Sequence, residues 1–179
     1  MTVSQAFFTL NLASGWNFVS IPRVGWGYNA SNLGLVTGDT VVRYDTVTGN
    51  YDMTYDVGYS DWSSDFDLNP STGYWIYAAA SRTLELYGDV PTATQSRFID
   101  VPAAGGWAMV GFASLSTSRH AGDIPSMYEG ASITNVVAYV SGTYLTWDYI
   151  EPTYHNFSLV PGQAYWVWCT GSGTLAYDP

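Results

Sequence analysis

The sequence predicts an all-β protein made of two tandem homologous modules, each a small β-sandwich or barrel, with short helical turns in the connecting loops. Three observations lead to this fold class. Aromatic residues make up 17% of the 179 residues, and aromatic side chains pack well on a pleated sheet. Charged residues make up only 11%, and every basic residue is an arginine, which leaves few helix formers. Several blocks of sequence also recur at one constant offset.

The recurring blocks lie 91 residues apart, as Trp16 and Trp107 illustrate. The matching pairs are 10–22 with 99–112, 68–77 with 159–168, and Thr83-Leu84 with Thr174-Leu175. Three blocks in one register indicate duplication of a unit of about 90 residues. We therefore predict a first module at 1–90 and a second at 91–179, separated by a Pro- and Thr-containing stretch around 88–95.

Six short strands are expected in each module, because apolar and β-branched runs alternate with Gly-containing turns. The predicted strands of the first module are 6–12, 16–21, 40–45, 50–55, 73–79 and 83–87. Those of the second are 97–101, 107–112, 134–140, 143–148, 164–169 and 173–177. Segments 29–35 and 117–128 carry short helical turns. Aromatic residues at successive positions of 74–77 and 165–168 predict strands that are covered on both faces.

The charge balance excludes some classes of partner. Fifteen acidic residues against five arginines give a net charge of −10, which repels phosphate backbones and anionic headgroups. We therefore expect no nucleic-acid binding. We also expect no membrane insertion, since the apolar segment 5–12 is too short to span a bilayer. Cys169 is the only cysteine, so no intrachain disulfide can form. No signal peptide is evident, and we expect a mature form or a region of a longer precursor.

No catalytic motif is evident in the sequence. Metalloprotease, P-loop, dinucleotide and nucleophile-elbow patterns are absent, and His120 and His155 lack partners at metal-ligand spacing. We expect a protein that is not an enzyme and has no catalytic residues. The alternative is a small hydrolase with an unrecognised site between the modules.

Asp61, Asp65 and Asp67 lie in the densest acidic stretch and supply the hard oxygen ligands that calcium requires. Their spacing differs from that of an EF-hand, and the second module has no matching cluster. A solvated acidic loop is therefore the competing interpretation, and no other cofactor is expected.

Trp26, Trp62 and Trp147 lie in predicted loops or at strand ends, where exposed rings can stack on sugars. The same rings can instead pack between the modules or against a neighbour in an assembly. Asn29 and Asn156 each begin an Asn-X-Ser glycosylation sequon.

The segments Gly-Trp-Asn-Phe-Val-Ser-Ile-Pro at 15–22, Tyr-Asp…Thr-Gly-Asn-Tyr at 44–51 and Gly-Tyr-Trp-Ile-Tyr at 73–77 carry a family resemblance. This pattern resembles the GWNLVS-P…GYWI repeats of archaeal and bacterial cell-surface proteins, which are S-layer-like or exported. The second module departs from the pattern at Ala108, Ala113 and Ala164.

The resemblance implies a non-catalytic extracellular structural or adhesion module of a prokaryotic cell-surface or secreted protein. The partners expected from it are other cell-surface proteins or glycans, and self-association is possible. A carbohydrate-binding module that uses loop Trp and Tyr residues is the alternative.

Overall fold

The computed structural model describes residues 7–23, 25, 27–59, 65–90, 97–101, 105–112, 118–127, 132–152, 155–171 and 173–177. The chain is all-β, as predicted. The strands of the first half are β1 Phe7–Leu12, β2 Gly15–Ser20, β3 Thr40–Asp45, β4 Asn50–Asp56, β5 Gly73–Ala78 and β6 Arg82–Tyr87. Those of the second half are β7 Arg97–Val101, β8 Gly106–Gly111, β9 Ser132–Val140, β10 Thr143–Asp148, β11 Ala164–Thr170 and β12 Gly173–Tyr177. Every predicted strand is confirmed to within two residues.

In the described ranges, helical structure is confined to short turns in the connections, again as predicted. One 3-10 turn spans Ala30–Asn32, and a second at Ala121–Asp123 leads into the four-residue helix α1, Ile124–Met127. No helix in the described part of the chain is both long and apolar enough to cross a bilayer.

The two halves have the same strand order. In the first half, a four-stranded antiparallel sheet of order β2-β5-β3-β4 accompanies the pair β1-β6. In the second half, the order is β8-β11-β9-β10, accompanied by the pair β7-β12. Equivalent strands also share a register, since Trp16 faces Tyr77 and Trp107 faces Trp168. The predicted boundary at 90/91 adjoins residues outside the described ranges, so the module bounds stay a prediction.

The first half is a sandwich with its core between the two sheets. Strands β1 and β6 contribute alternate leucines, and the four-stranded sheet contributes the facing side chains. This buried set includes Leu10, Leu12, Leu84 and Leu86 on one side and Val19, Ile21, Val41, Tyr74, Ile76 and Ala78 on the other. The second half buries an equivalent set on its four-stranded sheet, with Ala121, Ile124 and Trp147 packed against it.

A third buried cluster joins the two halves. Phe18, Trp75, Met109 and Ala164 lie on the opposite faces of the two four-stranded sheets, which pack against each other. In β5, Tyr74 therefore points into its own half while Trp75 points at the other half. The prediction that these strands are covered on both faces is confirmed at Tyr74 and Trp75, which are 1% and 9% exposed, but it is wrong at their ends, where Tyr77 and Trp168 are 38% and 36% exposed.

Two backbone hydrogen bonds across this interface reveal a local two-fold relationship. Ser20 N–H donates to the Gly162 carbonyl and Gly111 N–H donates to the Ser71 carbonyl, each at 2.9 Å. A shift of 91 residues converts either bond into the other. Such reciprocal contacts are the signature of a two-fold interface, here within one chain. We call the line that relates the two halves at this interface the axis.

At the axis the backbones of the two halves approach closely. Of two residues that face each other across it, only one can have a Cβ. A Cβ on Gly73 would lie 2.7 Å from the Cβ of Ala164, its counterpart in the second half. A Cβ on Gly111 would lie 2.1 Å from the Cβ of Ser20. Ala164, which departs from the repeat pattern, therefore faces Gly73, whose lack of a Cβ leaves space for the alanine side chain.

Candidate functional site: two aromatic clefts between the halves

A continuous set of aromatic rings extends from the buried interface to the surface. Trp16 contacts Trp75 edge-on, with ring centroids 6.3 Å apart, and Trp107 contacts Trp166 in the same manner at 6.2 Å. Each inner indole then meets a tyrosine of the other half. The Trp75–Tyr139 centroids are 5.2 Å apart and the Trp166–Tyr44 centroids 4.6 Å apart. The interface therefore repeats one aromatic arrangement on both sides of the axis.

The larger cleft opens beside Trp75, and we call it the Trp75 cleft. It is lined by Trp16, Val42, Tyr51, Trp75, Tyr139 and Tyr144 and encloses about 440 Å³. This volume falls within the range of small-molecule sites, roughly 300–1,000 Å³. Trp16 is 47% exposed and Tyr144 59% exposed, so their rings are accessible to a ligand.

The smaller cleft is the counterpart of the first, and we call it the Trp166 cleft. It is lined by Tyr44, Tyr51, Trp107, Val137 and Trp166 and encloses about 320 Å³. Strand pairing establishes the correspondence, because Val42 faces Trp75 just as Val137 faces Trp166. Tyr51 lines both clefts, which are therefore adjacent.

The walls of the clefts are uncharged. No acidic or basic side chain occurs among the described residues that line either cleft. The Trp75 indole nitrogen is buried in the wall and lies near the Tyr51 hydroxyl. Burial raises the pKa of Tyr51, and a hydrogen bond from the Trp75 indole N–H lowers it in part.

A broader cavity of about 720 Å³ adjoins the Trp75 cleft at Trp16, which lines both. Its lining includes the polar side chains of Asn11, Ser14, Ser141 and Gln163. The exposed Trp16 ring therefore has an aromatic cleft on one side and hydrogen-bonding groups on the other.

The predicted tryptophan platform is wrong at Trp147. This residue is only 2% exposed, and its indole N–H donates to the Pro152 carbonyl at 2.9 Å beneath the second helical turn. It presents no ring face to a ligand. Trp26 and Trp62 lie outside the described residues. The accessible rings of the clefts belong instead to Trp16, Tyr51 and Tyr144, which lie within the predicted strands and hairpins.

The predicted calcium ligands separate into different environments. Asp61 lies outside the described residues, and Asp67 is exposed. Asp65 accepts hydrogen bonds from Ser31, at 2.9 Å from the backbone N–H and 2.6 Å from the hydroxyl, and so fixes the first helical turn. Among the described residues, no three histidine, cysteine or acidic side chains converge as metal ligands.

The two sequon asparagines are structurally different. The Asn29 carboxamide oxygen caps the first helical turn, accepting from the Asn32 N–H at 2.9 Å. Asn156 is exposed, and its carboxamide oxygen accepts from the Gly122 N–H at 2.8 Å. Asn156 thus occupies in the second half the place that Asp65 holds in the first. Glycosylation at Asn29 and Asn156 stays a prediction.

Comparison with known proteins adds no relative to this description. No protein-family model matches the chain, and neither the curated proteins nor the solved structures contain a significant match.

Proposed function

We propose that this chain is a non-catalytic glycan-binding module of a prokaryotic cell-surface or secreted protein, with the Trp75 cleft as its site. The observation that carries the proposal is the accessible Trp16 ring, which lies between an uncharged aromatic cleft and a cavity lined by polar side chains. The surface location and adhesive role rest on the sequence resemblance stated above. The β-sandwich architecture is common among cell-surface domains and agrees with that role.

The chemistry of the cleft favours a neutral sugar. A pyranose has a face of C–H groups that packs on an aromatic ring, while its hydroxyl groups accept and donate hydrogen bonds at the rim. The polar side chains near Trp16 supply such partners. A net charge of −10 opposes the binding of acidic polysaccharides.

The lining of the clefts also favours binding over hydrolysis. A glycosidase or esterase site needs a nucleophile or an acid–base pair within reach of the substrate. The described residues that line the two clefts are aromatic or valine, and none carries a carboxylate, imidazole or thiol.

Replacing Trp16 with alanine tests this proposal. We expect Trp16→Ala to weaken binding to a neutral glycan by about ten-fold or more, because an anchoring aromatic ring contributes at least ~1.4 kcal/mol. The ligand is identified on an array of neutral glycans, and affinity is measured by tryptophan fluorescence titration.

The matched control is Tyr149→Ala, which removes a ring that is 65% exposed and lines neither cleft. Affinity should be unchanged in this variant. Equal losses in both variants, or no binding to any neutral glycan, would contradict the proposed function.

A further inference from the structure

The two clefts share a wall, which suggests a site larger than either. Tyr51 lines both, and it is 54% exposed. It lies at the start of β4, where its ring contacts Tyr44 with centroids 5.5 Å apart. Its counterpart Tyr144 contacts Tyr139 in the same way at 5.0 Å. Tyr51 therefore lies where the two clefts meet, and Tyr144 lines the Trp75 cleft beside it.

Aromatic contacts also run without a break from one outer tryptophan to the other. Beyond the Trp16–Trp75 contact, Trp75 stacks on Phe18 at 4.7 Å and Phe18 contacts Trp166 at 5.9 Å. Trp166 then contacts Trp107. Phe18 and Trp75 are only 4% and 9% exposed, so this row of rings links the two clefts through the buried interface.

We propose that the two clefts form one continuous site for an extended neutral oligosaccharide, with sugar units in both clefts and Tyr51 between them. This inference rests on the proposed function and adds the length of the ligand and its mode of binding. Once one sugar unit is held in the first cleft, the next binds at high effective concentration in the second. Affinity then increases with chain length until both clefts are filled.

The two clefts differ in size and in polar surroundings. The Trp75 cleft is the larger, and at Trp16 it adjoins a cavity lined by Asn11, Ser14, Ser141 and Gln163. An oligosaccharide has two different ends, whereas a perfectly symmetric site would accept it in either direction. This asymmetry favours one direction of the bound chain.

Calorimetric titration with oligosaccharides of increasing length tests this inference. The probes are the cello-, chito- and manno-oligosaccharide series, from the disaccharide upward, with the intact chain and three variants. We expect one ligand per chain and an affinity that rises at least ten-fold along the series that binds. Trp16→Ala should weaken both the disaccharide and the longest member, whereas Trp107→Ala should weaken only the longest.

Tyr51→Ala provides a second variant for the case in which the half-buried Trp107 is needed for folding. Because Tyr51 is exposed, its removal should leave the fold intact and reduce the gain from chain length. Two ligands per chain with the same affinity at every length would overturn the continuous site while leaving the glycan-binding function standing. No binding by any series would overturn both the continuous site and the glycan-binding function. A concentration-dependent dimer that Trp16→Ala dissociates would also overturn both, since the clefts would then bind a second copy of the chain.

Discussion

Asp39 is a charged residue whose role is structural. Its carboxylate is fully buried next to the start of β3. One oxygen accepts hydrogen bonds from Ala79 N–H at 2.9 Å and from the Arg82 guanidinium at 3.0 Å, and the other accepts from Val36 N–H at 3.1 Å. This aspartate thus ties the β5–β6 turn to the entry of β3.

Removing this carboxylate should destabilise the protein strongly. Asp39→Ala leaves a guanidinium and two backbone N–H groups without their acceptor, which costs roughly 3 kcal/mol or more when a buried pair loses one partner. The free energy of unfolding is measured with urea. The control Asp67→Ala alters an exposed carboxylate and should stay within ~0.5 kcal/mol of the parent chain. Similar values for the two variants would show that Asp39 is dispensable.

The burial of individual polar or amphipathic residues is the feature that the sequence predicts least well. Asp39 is a charged residue and Trp147 lies near the end of a predicted strand, yet both are buried. Burial of a polar or amphipathic side chain depends on partners far away in sequence, such as Arg82 for Asp39. No local pattern encodes such a partner.

At the scale of the strands, alternation and the 91-residue offset are sufficient to predict every strand boundary to within two residues. They did not predict the site, because a period of two shows that a strand has two faces but not what covers each. Trp16, Phe18 and Trp75 share the face that meets the other half. Only the packing of the two four-stranded sheets leaves Trp16 accessible while it buries Phe18.

The close contact between β2 and β8 can be tested by exchanging its small residues. Gly111→Ala places a Cβ within 2.1 Å of the Ser20 Cβ, and we expect overpacking to cost about 1–3 kcal/mol. Adding Ser20→Gly should recover much of this loss, since the obstructing Cβ is then absent. A double-mutant cycle of unfolding free energies measures the coupling, expected at ~1 kcal/mol or more.

Ser20→Gly alone is the reference for that cycle, since it also removes the hydroxyl that donates to the Gln163 carbonyl at 3.2 Å. Additive effects of the two substitutions would mean that the two backbones can separate without cost, so that the contact between Gly111 and Ser20 does not limit the packing.

At the scale of the whole molecule, the two halves place a buried tyrosine at the same point of the sheet. The Tyr74 hydroxyl accepts from Asn69 N–H at 2.6 Å, and the Tyr165 hydroxyl accepts from Val160 N–H at 2.7 Å. Burial raises the pKa of Tyr74 from 10.0 to about 12, and it raises the pKa of Tyr165 well above its usual value. A pH high enough to ionise these two phenols therefore destabilises both halves.

Stability should decline as the pH rises from 10.0 towards about 12. The unfolded chain releases these phenolic protons at a lower pH than the folded chain, so the stabilisation is complete below pH 10.0 and is lost through the folded pKa. Urea unfolding across this range measures the slope. Tyr74→Phe and Tyr165→Phe should each be less stable at neutral pH and show a shallower decline; an unchanged slope in both would assign the alkaline loss to other groups.

The facing residues at the axis have a consequence for the ancestry of such a chain. In a homodimer, a residue on the symmetry axis meets its own copy. Two first halves would bring Ser20 against Ser20, and two second halves would bring Ala164 against Ala164, and both pairs would collide. Neither half can therefore form this interface with its twin, although each complements the other. A single chain that carries both halves supplies the two complementary partners in equal number, so each half is free to diverge from the other.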